Sequence, residues 1–277
     1  MFSWLDPLGS SVPCYTSGSD YSAGGIRLSL QNRVCIITGG GSGIGKATAM
    51  KMASEGANIV LFGRTLSKIK AVADNIKDNG GSATYYGIDV ANHSAVFDAI
   101  EEILHDAGHI DIMVNNAGHS SPNRTLLTTT REDITSVVDS NLVGTIYCTQ
   151  AVMPSMLELD SGTIINVSSL AGVKPGLLGG MIYSAVKAAV INFTEFLNDE
   201  FKATGIRASV VIPGEVDTPI IDKRPVVPDT AARATMVEAE NVAEAITLIA
   251  SLPQKSSVPE LIIKPTYARD QSSEIGG

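Results

Sequence analysis

The chain is poor in cysteine, in aromatic side chains and in positive charge. Its three cysteines, Cys14, Cys35 and Cys148, are widely spaced, and no Cys-x-x-Cys pair occurs. A disulfide framework or a cysteine zinc site is therefore not expected, no metal is predicted, and a reducing, cytoplasmic setting fits best. With aromatics at 5% and a single Trp, aliphatic side chains must fill most of the core. The net charge of −9 repels phosphate backbones, so nucleic acid is not an expected partner. No apolar run reaches the ~18 residues that a membrane helix needs. Residues 1–25 have neither the basic start nor the apolar stretch of a secretory signal.

What the chain does have is glycine, 26 residues of it, and runs rich in Val and Ile. Strands are predicted at Val34–Thr38, Asn58–Phe62, Ala83–Ile88, Ile112–Asn115, Thr163–Val167, Arg207–Ile212 and Glu260–Lys264. Helical periodicity occupies Ile44–Ser54, Ser67–Asp78, Ser94–Asp106, Asp133–Leu157, Tyr183–Ala203 and Ala239–Ser251. This alternation predicts an α/β fold, a parallel sheet with helices on both faces. Near-continuous apolar strands such as Ile164–Val167 suit a sheet covered on both sides. Residues 1–29 read as an arm ahead of one domain over 30–277. Pro213–Arg233, with four prolines and little periodicity, reads as a surface loop and a candidate substrate lid.

After the first strand comes Thr38-Gly39-Gly40-Gly41-Ser42-Gly43-Ile44-Gly45, and then a helix. A glycine-rich turn at a helix N-terminus presents free backbone N–H groups and the positive end of the helix dipole, which suits a pyrophosphate. The spacing is not the G-x-G-x-x-G fingerprint, and glycines also serve a tight turn alone. The second strand runs into Gly63-Arg64, where an NAD-preferring fold usually carries a carboxylate. Arg64 can pair with a 2′-phosphate, so NADP(H) is preferred and NAD(H) stays open; a merely solvated arginine is the rival.

Tyr183 and Lys187 are four residues apart, on one face if the segment is helical. A nearby ammonium lowers the phenol pKa and makes the pair a proton donor and acceptor for carbonyl/alcohol interchange. Such pairs also occur on ordinary surfaces. Ser168 and Ser169 end the fifth strand, where a hydroxyl can hydrogen-bond a substrate oxygen. Asn141 lies on an otherwise apolar helix and equally suits a core asparagine bonded to backbone. Arg124 and Lys174 are weak candidates for holding a substrate carboxylate, and His119 for a substrate contact.

Taken in order, Thr38–Gly45, Asp89-Val90, Asn115–Gly118, Asn141, Ser168-Ser169, Tyr183/Lys187 and Pro213-Gly214 with Thr218 resemble the short-chain dehydrogenases/reductases over about Leu30–Thr266. The resemblance implies a Rossmann-type, doubly wound, seven-stranded sheet in order 3-2-1-4-5-6-7. It implies Tyr183 as general acid/base, Lys187 as pKa modulator and ribose ligand, Ser169 as the carbonyl-orienting serine, and Asn141 as holder of a relay water. The implied cofactor contacts are Gly39, Gly41, Ser42, Gly43, Ile44 and Gly45 at the turn and Arg64 beside it. Asp89 and Val90 would meet adenine; Asn115, Asn116, Ala117 and Gly118 would line the cofactor; Pro213, Gly214, Val216 and Thr218 would hold the nicotinamide amide. A small carbonyl or alcohol substrate and a homotetramer or homodimer, built on the helices starting near Asp133 and Tyr183, are also implied. The gap between Ser169 and Tyr183 is one residue longer than usual, absorbed at Lys174–Gly180. An NAD-dependent alcohol or hydroxy-acid dehydrogenase and a non-catalytic dinucleotide-binding protein are the rival readings.

Overall fold

The computed structural model describes residues 30–275; the arm expected over 1–29 lies outside them. Seven parallel strands form one sheet. They are β1 Val34–Thr38, β2 Asn58–Phe62, β3 Ser82–Tyr86, β4 Ile112–Asn115, β5 Gly162–Val167, β6 Ile206–Pro213 and β9 Glu260–Ile263. Two short strands, β7 Val216–Asp217 and β8 Val237–Glu238, pair separately. The order β3-β2-β1-β4-β5-β6-β9 is the expected one, reversing between β1 and β4.

The central strands explain why the sheet is sandwiched. Side chains alternate across a strand. Cys35, Ile37, Ile59, Leu61, Ile112 and Val114 enter one buried apolar layer, while Val34, Ile36, Val60, Phe62 and Met113 enter the other. Helices α1 Gly43–Ser54, α2 Leu66–Asp78 and α9 Ala239–Ser251 cover the first face. Helices α3 His93–Ala107, α5 Gly144–Glu158 and α7 Met181–Glu200 cover the second. Arg207, buried on β6, donates to Thr163 Oγ1 and to the carbonyls of Ile249, Ala250, Leu252, Pro253 and Ser256. A cation there satisfies the terminal carbonyls of α9 and complements its dipole.

Three expectations are corrected. The third strand ends at Tyr86 rather than Ile88, just before Gly87. The helix expected over Asp133–Leu157 is three pieces: α4 Arg131–Val138, a π turn at Asp139–Val143, and α5. A capping box between Thr130 and Asp133 starts α4. The segment 213–233 is not plain loop: it holds β7, a 3₁₀ turn at Ile221–Lys223 and α8 Thr230–Arg233. No helix of the described residues is long and apolar enough to cross a membrane, and none of them form a group of three or more potential metal ligands.

Candidate active site

A cleft of about 530 Å³ opens at the carboxyl ends of β1, β4, β5 and β6. Ligands bind there in open α/β sheets, at the point where strand order reverses. Its floor is set by Thr38, whose hydroxyl accepts from the N–H groups of Asn116 and Ala117, each at 2.9 Å. The Asn116 amide donates to the Thr38 carbonyl at 3.0 Å. These bonds lock the turn after β1 against the turn after β4.

Gly39 and Gly43 adopt positive φ, at 65° and 50°. Gly45 lies so close to Gly39 that a Cβ there would collide with the Gly39 carbonyl and the Asn116 amide. The Ser42 side chain does not cap α1, and the first turn of α1 holds no acidic residue. The leading N–H groups thus have no side-chain acceptor from this cap, and the donor set fits a pyrophosphate. Gly45→Ala is expected to cost roughly 1–3 kcal/mol, as overpacking does, and to weaken dinucleotide binding. Thermal denaturation with and without nucleotide checks both; an alanine variant as stable as the parent would remove the packing argument.

Tyr183 and Lys187 share one face of α7, with Nζ 5.6 Å from the phenol ring centroid. Lys187 is 4% exposed and donates to the Val167 carbonyl at 2.9 Å. Burial depresses its pKa to about 8. Ser169 caps the short helix α6 Leu170–Val173, and its hydroxyl lies within hydrogen-bonding reach of Tyr183. Ser168 is instead buried and donates to the Lys187 carbonyl at 2.7 Å. Burial pushes the Tyr183 hydroxyl above the usual phenol range, with Ser169, Arg124 and Arg224 pulling the other way. This corrects the expectation of a lowered phenol pKa: desolvation outweighs the charges nearby.

Asn141 sits in the π turn, a distortion frequent at functional sites. Its amide donates to the carbonyls of Val137 and His119, each at 2.9 Å, while Oδ1 is buried without a partner. A Cβ at Gly118 would collide with that oxygen and would lie 3.5 Å from Lys187 Nζ. The free acceptor and the ammonium therefore face the same small space.

The cleft gathers Gly39, Ser42, Gly43, Ile44, Asn116, Ala117, Gly118, Asn141, Ser169, Tyr183, Lys187, Pro213, Gly214, Val216 and Thr218. Other predicted residues lie elsewhere. Gly41 faces α2, Gly45 supports the turn from behind, and Val90 packs on Gly144. Arg64 is exposed and Asp89 half-buried, both outside the residues that line the cleft and 3.6 Å apart. The buried Asn115 side chain turns into the core, donating to Asn166 Oδ1 at 2.8 Å and Thr149 Oγ1 at 3.0 Å. It is a core asparagine joining β4 to β5 and α5, and its side chain does not line the cleft. His119 is held between the hydroxyls of Ser136 and Ser140, each at 2.9 Å, and its carbonyl accepts from the Asn141 amide, so it braces the Asn141 segment. Burial holds its pKa below the usual imidazole value.

Sequence reasoning missed one cluster. Glu215 after β6 meets Arg224 at 2.8 Å, Arg269 at 2.6 Å and Gln271 at 2.6 Å, and Glu274 completes the group. Its members are up to 59 residues apart and carry no local pattern, so only the fold brings them together.

Fold and cleft together define a dinucleotide-type oxidoreductase scaffold, and comparison with known proteins narrows the class. The short chain dehydrogenase family model matches residues 33–226. An uncharacterized oxidoreductase of Staphylococcus epidermidis is 33% identical over 236 residues, covering 85% of this chain and 98% of that protein. A metagenomic short-chain oxidoreductase, solved in complex with NADP, superposes with a TM-score of 0.75 at 29% identity, covering 86% of this chain and 99% of the other. Serine dehydrogenase, in its closed form with NADP+, gives 0.77 at 28% identity, covering 85% and 97%. The chain belongs to the short-chain dehydrogenase/reductase family and is an oxidoreductase.

Proposed function

We propose that this enzyme is an NADP(H)-dependent reductase of ketones or aldehydes, acting reversibly on the matching alcohols. The observation that carries this reading is the convergence of Tyr183, Ser169 and Lys187 in the same cleft as the Gly39–Gly45 turn. The relatives solved with NADP support the choice of cofactor. When bound, the nicotinamide supplies the hydride. Ser42 and the N–H groups opening α1 would hold the pyrophosphate; Asn116, Ala117 and Gly118 would line the cofactor; Pro213, Gly214, Val216 and Thr218 would hold the nicotinamide amide. Arg64 would pair with the 2′-phosphate, while Asp89 and Val90 would border adenine.

Tyr183 donates its proton to the carbonyl oxygen, which Ser169 orients. A phenol whose pKa is raised by burial is fully protonated at neutral pH, the form that reduction requires. Lys187 holds the ribose hydroxyls and, with a water on Asn141 Oδ1, returns a proton to Tyr183. On the outer faces of α4, α5 and α7, Ile134, Leu157 and Phe196 are exposed, which supports a homotetramer or homodimer through those helices. Light scattering after gel filtration checks that assembly, and a monomer would refute it.

The test is oxidation of NADPH and of NADH at 340 nm over a panel of ketones, aldehydes and keto acids. NADPH-dependent turnover is expected. Arg64→Asp should lower kcat/KM for NADPH by about 10–10²-fold, the worth of a hydrogen bond to a charged group, and favour NADH. A preference that does not move would discard Arg64 as the selector and reopen the NAD-dependent reading. Binding without turnover would instead favour a non-catalytic dinucleotide-binding protein.

A further inference from the structure

Among the described residues, every buried or half-buried arginine has acceptors for its guanidinium, with one exception. Arg207 has its carbonyls and Thr163; Arg224 and Arg269 share Glu215 and Glu274; Arg233 meets Asp217 and Asp222. Arg124 has none. It lines the cleft, its Nε is buried, and no hydrogen bond or ion pair reaches that atom. This occurs in a chain with 29 acidic and 20 basic residues, where carboxylates are in surplus.

The position is built. The Arg124 carbonyl accepts from Met181 N–H at 2.9 Å, tying it to the first residue of α7, two before Tyr183. A Cβ at Gly180 would press on the Arg124 stem at 3.1–3.2 Å, so glycine there leaves the side chain its room. The loop behind is fastened by Asp133, which accepts from Ser121 at 2.6 Å and Asn123 at 2.8 Å. The guanidinium is close enough to Tyr183 to stabilise its phenolate. The nearby charge of Arg224 is already balanced by Glu215 and Glu274, so of the two guanidiniums that line the cleft only Arg124 has no carboxylate.

A partly desolvated guanidinium with no counterion, beside the group proposed to bind the carbonyl oxygen, is completed by a planar anion. We infer that Arg124 selects substrates that carry a carboxylate, so that the enzyme reduces short oxo acids to hydroxy acids. This rests on the reductase reading above. The carbonyl carbon takes the hydride, the carbonyl oxygen takes the proton of Tyr183, and solvent reprotonates Tyr183. The carboxylate stays ionised on Arg124 throughout.

The experiment compares pyruvate, acetoacetate and levulinate with their methyl esters, using NADPH and the full-length protein, its Arg124→Gln variant and its Arg124→Lys variant. For the best-fitting acid, the acid-to-ester ratio of kcat/KM is expected to exceed one in the parent. It should fall by on the order of 10²-fold in Arg124→Gln, and less in Arg124→Lys, which keeps charge without the fork. In parallel, Tyr183→Phe protein saturated with NADP+ is titrated calorimetrically with lactate and with hydroxybutyrate, with and without Arg124→Gln. Binding that depends on Arg124 is expected. Ester turnover equal to that of the acids, with a ratio that Arg124→Gln does not move, overturns the carboxylate site and leaves the reductase standing. No turnover of any compound, with carboxylate binding that still requires Arg124, overturns the reductase reading and keeps the anion site. Neither turnover nor binding rejects both.

Discussion

Tyr183→Phe is expected to lower kcat by on the order of 10²–10⁴-fold while leaving nucleotide affinity within a few-fold of the parent. The substitution removes one hydroxyl from a side chain within reach of Ser169 and keeps the ring that packs beside Lys187. The loss should therefore appear in turnover rather than in folding or cofactor binding. A companion measurement is the pH profile. Burial raises the Tyr183 pKa, so the protonated donor persists through neutral pH. Reduction should be flat there and decline only in the alkaline range, whereas alcohol oxidation, which needs the phenolate, should rise with pH. A Phe variant that retains most of the parent rate would end the assignment of Tyr183 as the proton donor, and attention would pass to a bound water or to Ser169.

Lys187→Met is expected to abolish most turnover and, at neutral pH, to stabilise the nucleotide-free protein. Lys187 is 4% exposed, its ammonium has one carbonyl partner, and its pKa falls from the ordinary lysine value to about 8. The unfolded chain holds that proton up to pH ~10.4. The fold is thus penalised in full below pH ~8, and the penalty fades as pH rises toward 10.4. A depression of this size corresponds to about 3 kcal/mol. Removing the charge leaves the Val167 carbonyl unpaired at a cost of ~1 kcal/mol, so a net gain near 2 kcal/mol, or roughly 4–8 °C in Tm, is expected. The gain should shrink between pH ~8 and ~10.4 as the parent lysine sheds its charge. Calorimetric melting at the two ends of that range decides it. A Met variant that melts below the parent at neutral pH would show that the ammonium is better solvated than its surroundings indicate. A stabilised, inactive variant would mark Lys187 as retained for chemistry against the interest of the fold.

The sheet was legible in the chain because its signal is local. Ile36, Val60 and Met113 sit in apolar runs that only a strand covered on both faces explains, and Gly39–Gly45 marks the turn where strand gives way to helix. Tyr183 and Lys187 were legible too, since four residues on a helix place them on one face whatever surrounds them. Neighbouring asparagines show where that reach ended. Asn115 and Asn116 are adjacent, yet the side chain of one is spent in the core while the other braces the cleft, because successive side chains on a strand end point to opposite sides. The π turn that aims Asn141 came from no sequence pattern, and neither did the serines that hold His119.

Nearest-neighbour chemistry determined this protein's strands, its glycine turn and its candidate proton donor. Tertiary structure alone decided the charges: which arginines meet a carboxylate, which does not, and which way burial shifts Tyr183 and Lys187. Burial and long-range pairing are sums over residues distant in sequence, and desolvation, which no single position records, sets their sign.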